Sequence, residues 1–284
     1  GLLWLAPIIG GITTPLYWLP YHSAFASKSG KGELCHQVTN LSNITRLVSI
    51  LAPLIGGFIA VKFGFQTLFP TGVVLMIVSS LPVFFDEYNQ KEKVLPVGSI
   101  KENIFSPAKR KLFASFFFQG FENVAGSIGW PLILFMFLPN LEQIGELTTA
   151  TLFLSLLAVN WLGRRLKGFD IRPLIGSNLV SVVVWVLRGL ATSPFLLVAS
   201  KPVMQLSAPF FNIPYNTLIY QEGKKRPLSF FTERELVLHS GTTFFCFLMF
   251  AVLSVGISWR IIAPLTILAT SLSSWFLVKQ TRQN

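Results

Sequence analysis

Glu122 stands in the run Gln119-Gly120-Phe121-Glu122-Asn123-Val124, inside an otherwise apolar and phenylalanine-rich stretch. A carboxylate in such surroundings either carries a proton or attracts a cation, because the apolar setting penalises its charge. Gln119 and Asn123 lie within one helical turn of it and add amide donors and acceptors. Lys201, in Ala199-Ser200-Lys201-Pro202-Val203-Met204-Gln205, is the basic counterpart, able to attract an anionic group or to pair with Glu122. Tyr17 and Tyr21 are four residues apart, as are Asn212 and Asn216, so each pair shares a helix face and offers hydrogen bonds or stacking to a small polar molecule. Trp130 comes eight residues after Glu122 and returns to roughly the same face. Plainer roles stand beside these. Glu122 could pair with a neighbouring helix, Lys201 could extend its amine to the surface, and the tyrosines and Trp130 could be interfacial rings. Arg188 and Arg260 read as interface anchors, and Arg234–Glu235 reads as a surface pair or, more sharply, as a gate pair.

Other chemistry is poorly represented. His22, His36 and His239 are scattered, and no His-Glu-x-x-His or clustered acidic motif occurs. A metal centre or an activated nucleophile needs such a cluster. No glycine-rich phosphate loop occurs either, which speaks against a nucleotide-driven pump. Cys35 and Cys246 are too few for a disulfide framework and read as free thiols. The expectation is a protein that is not an enzyme and uses no cofactor or metal, with proton coupling through Glu122 as its one ionic device.

The elements that must position these residues are long and apolar. Hydrophobic residues make up 52% of the 284-residue chain and charged residues only 12%, about half the share of a soluble domain. The mean hydropathy is +0.60. Crossing a bilayer takes roughly 20 apolar residues in a helix. Nine runs qualify: 2–22, 41–61, 67–85, 112–138, 147–166, 174–192, 195–220, 236–257 and 261–278. They are continuous rather than alternating, so helices fit them better than barrel strands. The expected class is all-α, a polytopic transmembrane helix bundle. With the C-terminus cytoplasmic, 19 of the 23 lysines and arginines fall on the inner side, three fall outside, and Lys201 is left within a helix. That asymmetry is the positive-inside signal, and it accounts for the net charge of +11 without nucleic acid. The polar segment 86–111 reads as a cytoplasmic linker between a three-helix part (1–85) and a six-helix part (112–284). The chain begins with Gly and lacks a signal-peptide pattern, so it reads as part of a longer protein.

Two stretches repeat. Tyr17-Trp18-Leu19-Pro20-Tyr21 and Phe211-Asn212-Ile213-Pro214-Tyr215 both fit aromatic-x-Leu/Ile-Pro-Tyr, and their prolines lie 194 residues apart. The first lies in the third span before the linker and the second in the fourth span after it. With six helices on each side, the two would be the fourth and tenth helices, the same place in each half. Ala52-Pro53-Leu54-Ile55-Gly56-Gly57, followed by Phe63-Gly64-Phe65, resembles the Gly-Pro-x-x-Gly-Gly motif of the fifth helix of the major facilitator superfamily. Gly163-Arg164-Arg165-Leu166-Lys167-Gly168-Phe169-Asp170-Ile171-Arg172-Pro173 resembles that family's basic loop: Gly163 and Arg172 fit, Lys167 stands where the acidic residue belongs, and Asp170 is displaced. The family's fourth-helix arginine motif is not visible in residues 1–22. The chain thus resembles a facilitator lacking its first three helices.

The resemblance implies two bundles rocking about a midplane site, with the spans 2–22, 112–138 and 195–220 lining a cavity. That cavity would hold Tyr17, Gln119, Glu122, Asn123, Trp130, Lys201, Gln205, Asn212 and Asn216. Pro20, Pro131 and Pro214 would bend helices. Pro53, Gly56 and Gly57 would bend one and pack it closely. Gly163, Arg164, Arg165, Asp170 and Arg172 would form the cytoplasmic loop. The implied partners are a small-molecule substrate and membrane lipid, with the protein a monomer in the cell (inner) membrane. Without its first helix the 284-residue chain is expected not to transport alone. The other class kept open is a transporter-like scaffold, receptor or scramblase without carrier activity.

Overall fold

Glycine, proline and polar capping residues divide a nearly continuous apolar sequence into helices. The computed structural model describes residues 5–30, 32–84, 97–137, 141–166 and 170–281. Its elements are α1 (Leu5–Lys28), α2 (Leu34–Phe63), α3 (Phe65–Phe84), α4 (Val97–Phe105), α5 (Arg110–Val124), α6 (Trp130–Phe137), α7 (Leu141–Arg165), α8 (Ile171–Leu190), α9 (Pro194–Gly223), α10 (Pro227–Ser254) and α11 (Ile262–Thr281). A π turn at Ala125–Gly129 joins α5 to α6, and a 3₁₀ turn at Trp259–Ile261 precedes α11. No strand occurs among the described residues.

Local chemistry sets the ends. Gly64 separates α2 from α3 at φ 79°, a left-handed conformation that glycine adopts without strain. Ser193 caps α9 by accepting from the Phe195 N–H at 3.2 Å, with Pro194 in the first turn where no N–H is needed. Asp170 caps α8 in the same way, accepting from Arg172 N–H at 3.0 Å. Pro227 opens α10. Pro20 in α1, Pro53 in α2 and Pro214 in α9 sit inside helices that continue through them. Pro131 is different. Proline cannot donate to the carbonyl four residues back and crowds it. The chain widens into the π turn just before it, where the Trp130 N–H reaches five residues back to Ala125 O.

Every run expected to be a membrane helix is helical over nearly all of its described length; the runs 147–166, 174–192 and 236–257 overshoot their helices, which end at Arg165, Leu190 and Ser254. Several helices run past the apolar stretch: α1 reaches Lys28, α2 starts at Leu34 and α10 at Pro227. Among the described residues, five helical stretches are long and apolar enough to cross a membrane: Leu34–Phe63, Glu146–Arg165, Ile171–Leu190, Pro227–Ser254 and Trp259–Thr281. The protein is therefore an all-helical chain with the makings of a multi-pass membrane protein. One element was not anticipated. The expected linker contains α4, whose Asn103 Nδ2 donates to Glu233 Oε1 on α10 at 2.9 Å. Residues 86–96 of that linker lie outside the described residues, as does Lys167.

Helix α5 is central, packed between α10 and α11; α11 packs on α8, α8 on α9, and α9 on α7. Helix α1 leans on α10 and α9, α2 on α7 and α9, while α3 packs mainly on α2. Buried apolar residues form two clusters. One gathers Phe113, Phe116, Ile213, Tyr215 and Phe231; the other gathers Phe121, Trp130, Trp185, Leu197 and Phe245. The apolar side chains of α3 are left open, with Met76 73% exposed. Bare apolar surface of that extent marks contact with lipid or with another protein.

The close backbone approach expected at Gly56 and Gly57 is not found. A methyl group at Gly56 would meet only the Leu68 side chain at 3.8 Å, and one at Gly57 would meet nothing within 4 Å. Close approach occurs instead between α5 and α10, where a methyl on Gly120 would strike the Leu238 carbonyl and one on Gly241 the Phe117 carbonyl. Gly163 packs in a similar way against the Thr39 side chain of α2.

Candidate functional site

A cavity of about 400 Å³ opens between α5, the π turn, α8 and α9. Its walls carry Gln119, Glu122, Asn123, Ser127, Ser177, Asn178, Ser181, Ser207 and Asn212, with Gly126, Met204, Ala208 and Phe211 completing the lining. The volume is in the range of small-molecule sites, and most of the lining residues carry a polar group.

Each wall has a local cause. On α5, Gln119, Glu122 and Asn123 follow the i, i+3, i+4 spacing of one helix face. On α8, Ser177 and Asn178 lie four and three residues before Ser181, so they share its face as well. The side chains are held in place by neighbours. Ser177 Oγ donates to Ser207 O at 2.8 Å. Asn178 donates to Ser274 Oγ of α11. The buried Tyr215 hydroxyl donates to Gln119 Oε1, which aims that amide. Ser181 Oγ donates to Glu122 Oε1 over a long 3.4 Å. The Thr270 hydroxyl lies near the same carboxylate without meeting hydrogen-bond geometry. Among the described residues no lysine or arginine pairs with Glu122. The carboxylate thus faces an open polar space with one weak hydrogen bond, an arrangement suited to taking up a proton or a cationic group.

The cavity brings together Gln119, Glu122, Asn123 and Asn212 from the expected set. It does not include the others. Tyr17 is 62% exposed on α1 and stacks on Tyr21. Gln205 and Asn216 are partly buried on α9 but do not line the cavity. Lys201 does not meet Glu122; its Nζ hydrogen-bonds Thr148 Oγ1 near the start of α7. Trp130 is buried and stacks on Arg188. The extra residue of the π turn makes eight residues advance like roughly seven regular ones, nearly two full turns. Trp130 therefore does share the face of Glu122, about 10 Å further along.

Two charged groups depart from their expected roles. Arg188 is not an interface anchor: it is 3% exposed. Arg234 and Glu235 are not a surface pair: both are buried, bonded at 2.5 Å, and His239 Nε2 lies 3.2 Å from the other Glu235 oxygen. Beside them, His22 Nδ1 meets Tyr220 OH at 2.7 Å and its ring stacks on Phe231, tying α1 to α9 and α10. Arg260 is exposed, and donates to Ala191 O at 3.1 Å.

In the basic loop, Asp170 and Arg172 pair with each other at 3.0 Å. The Arg172 side chain holds the Asp170 carboxyl below its ordinary value, aided by the Arg172 backbone N–H. Arg165 lies over Trp161, 4.9 Å from the ring centre, and Arg164 is exposed. Cys35 and Cys246 are free thiols.

The lining residues not anticipated include Ser127, Ser177, Asn178, Ser181 and Ser207, with Met204 and Phe211. The only signal available was the spacing of Ser177, Asn178 and Ser181 along one face of an otherwise apolar helix. No protein-family model matches the chain, and no curated protein matches it significantly.

Proposed function

We propose that this chain supplies the fourth to twelfth helices of a multi-pass carrier of the cell (inner) membrane, which moves a small polar solute by alternating access in the manner of a major facilitator, coupled to protons through Glu122. The observation that carries the reading is the unpaired Glu122 carboxylate in a cavity of about 400 Å³ lined with hydroxyls and amides, within an apolar helical bundle. An ionisable group among apolar helices costs about 2.5–3.5 kcal/mol to insert, and such groups usually mark a pathway. The positive-inside distribution, with the C-terminus cytoplasmic, and the bare apolar faces of α2 and α3 support a lipid setting. The repeated Pro-Tyr stretches support two related halves. Carrier mechanism, family and membrane placement are all parts of this one reading.

The test is uptake of radiolabelled polar solutes into proteoliposomes under an imposed proton gradient. Gradient-driven accumulation is expected in the whole twelve-helix carrier, not in residues 1–284 alone, and is expected to fall at least tenfold in Glu122→Gln, while solute exchange without a gradient is retained. Equal accumulation in the two proteins would remove Glu122 from the mechanism. Absence of any solute-dependent flux or proton movement would favour a scaffold or receptor role.

A further inference from the structure

Arg188 is a buried arginine in an apolar helix without a carboxylate. Its guanidinium carbon lies 3.5 Å from the ring centre of Trp130 and 4.7 Å from that of Trp185. Nε–H donates to Ser200 Oγ at 2.9 Å, and the Nη groups make no hydrogen bond among the described residues. The stacking supplies cation–π stabilisation, but it leaves the four N–H donors of the fork unused. Lys201 follows Ser200, the residue that bonds Arg188; its Nζ bonds the Thr148 hydroxyl, and it has no acidic partner among the described residues. The indole N–H groups of Trp130 and Trp185 are buried and bond to nothing among the described residues. Unused donors inside a protein are rare, because each one forfeits its hydration for no return.

The cluster has a defined position. Arg188 is seven residues beyond Ser181 on α8, while Ser200 and Lys201 are seven residues before Ser207 and Ala208 on α9. Seven residues span ~10 Å and return to the same helix face. The wall that surrounds Glu122 therefore continues toward the α6 end of the bundle and changes there from acidic to basic.

We propose that Arg188 and Lys201, roofed by Trp130 and Trp185, form an oxyanion site that takes a carboxylate or phosphate group. An arginine fork matches the two oxygens of such a group, a lysine adds a point charge, and the indole N–H groups add neutral donors. Its occupant is either a free solute or the headgroup of an anionic lipid. The site does not depend on carrier activity.

Intrinsic tryptophan fluorescence tests this in phosphatidylcholine nanodiscs, with sodium phosphate or sodium acetate titrated at constant ionic strength. A saturable change is expected for at least one anion, lost in Arg188→Gln and shifted at least fivefold to weaker binding in Lys201→Met. If Arg188→Gln loses its helical circular dichroism, Lys201→Met decides the matter. Replacing part of the lipid with phosphatidylglycerol separates the sources. A rightward shift of the anion titration identifies the headgroup as occupant, and an unshifted one identifies the free solute. A change that is linear in anion concentration, or identical in native protein and Lys201→Met, would overturn the proposal and leave Arg188 as a structural clamp.

Discussion

Glu235 and Glu122 are both acids inside the helical bundle, and their surroundings are opposite. Glu235 is buried against Arg234, which bonds one oxygen, and His239 Nε2 lies 3.2 Å from the other. Glu122 has Ser181 at 3.4 Å and an open cavity. A buried charge neutralised by its neighbours serves the fold. An acid facing an open polar cavity is kept at a cost to the fold and is available to something else.

Stability measurements separate the two most sharply. Glu235→Leu leaves Arg234 buried without its carboxylate, and breaking a buried pair typically costs about 3–5 kcal/mol. A large drop in Tm in detergent is expected, whereas Glu122→Gln should leave Tm unchanged or raised. The double variant Arg234→Met/Glu235→Leu should recover at least half of the loss, because the lone charge is then gone. Equal destabilisation by Glu235→Leu and Glu122→Gln would break the contrast. A smaller effect sharpens it from the cavity side. Tyr215→Phe removes the donor that aims Gln119 and should cost about 1 kcal/mol, the low end for an orphaned acceptor, because the cavity can supply water in its place.

Asp170 is a third acid, near the surface, and gives the smallest effect. Asp170→Ala removes the cap of α8 and should lower stability by about 1 kcal/mol, read as a small Tm shift. Arg172 depresses the Asp170 carboxyl, so the folded chain binds that proton more weakly than the unfolded chain does. The stabilisation is present above the ordinary carboxylate range, about pH 4, and is lost as pH falls through the lower folded value. Asp170→Ala should therefore lack that part of the acid sensitivity.

The helices were legible because each apolar run is as long as a helix needs and contains no alternation. Their ends were not. Hydropathy registers only the oily part, so α10 was expected from residue 236 although it begins at Pro227. Its first turns carry Arg234 and Glu235, which look like an exposed end until their pairing is seen. Within the site, Glu122, Gln119, Asn123 and Asn212 stood out as polar groups among apolar ones. The serines did not, because a helical serine can bond its own backbone and so needs no polar neighbour. Arg188 was misjudged by its place near a helix end, since its burial depends on two tryptophans, one of them on a different helix.

The contact of Gly120 with Gly241 has a mechanical consequence. Peptide groups of α5 and α10 interlock there, with no side chain between them to give way. Sliding one helix along the other would have to lift the Phe117 carbonyl over the backbone of α10. The Glu122 helix is thus keyed in place on one side of its π turn, and the arm from Trp130 to Phe137 lies beyond the key. Any change of shape at the level of Glu122 is then a swing of that outer arm about the π turn, and spin labels on α6 rather than α5 are the ones that should change their distance to α10.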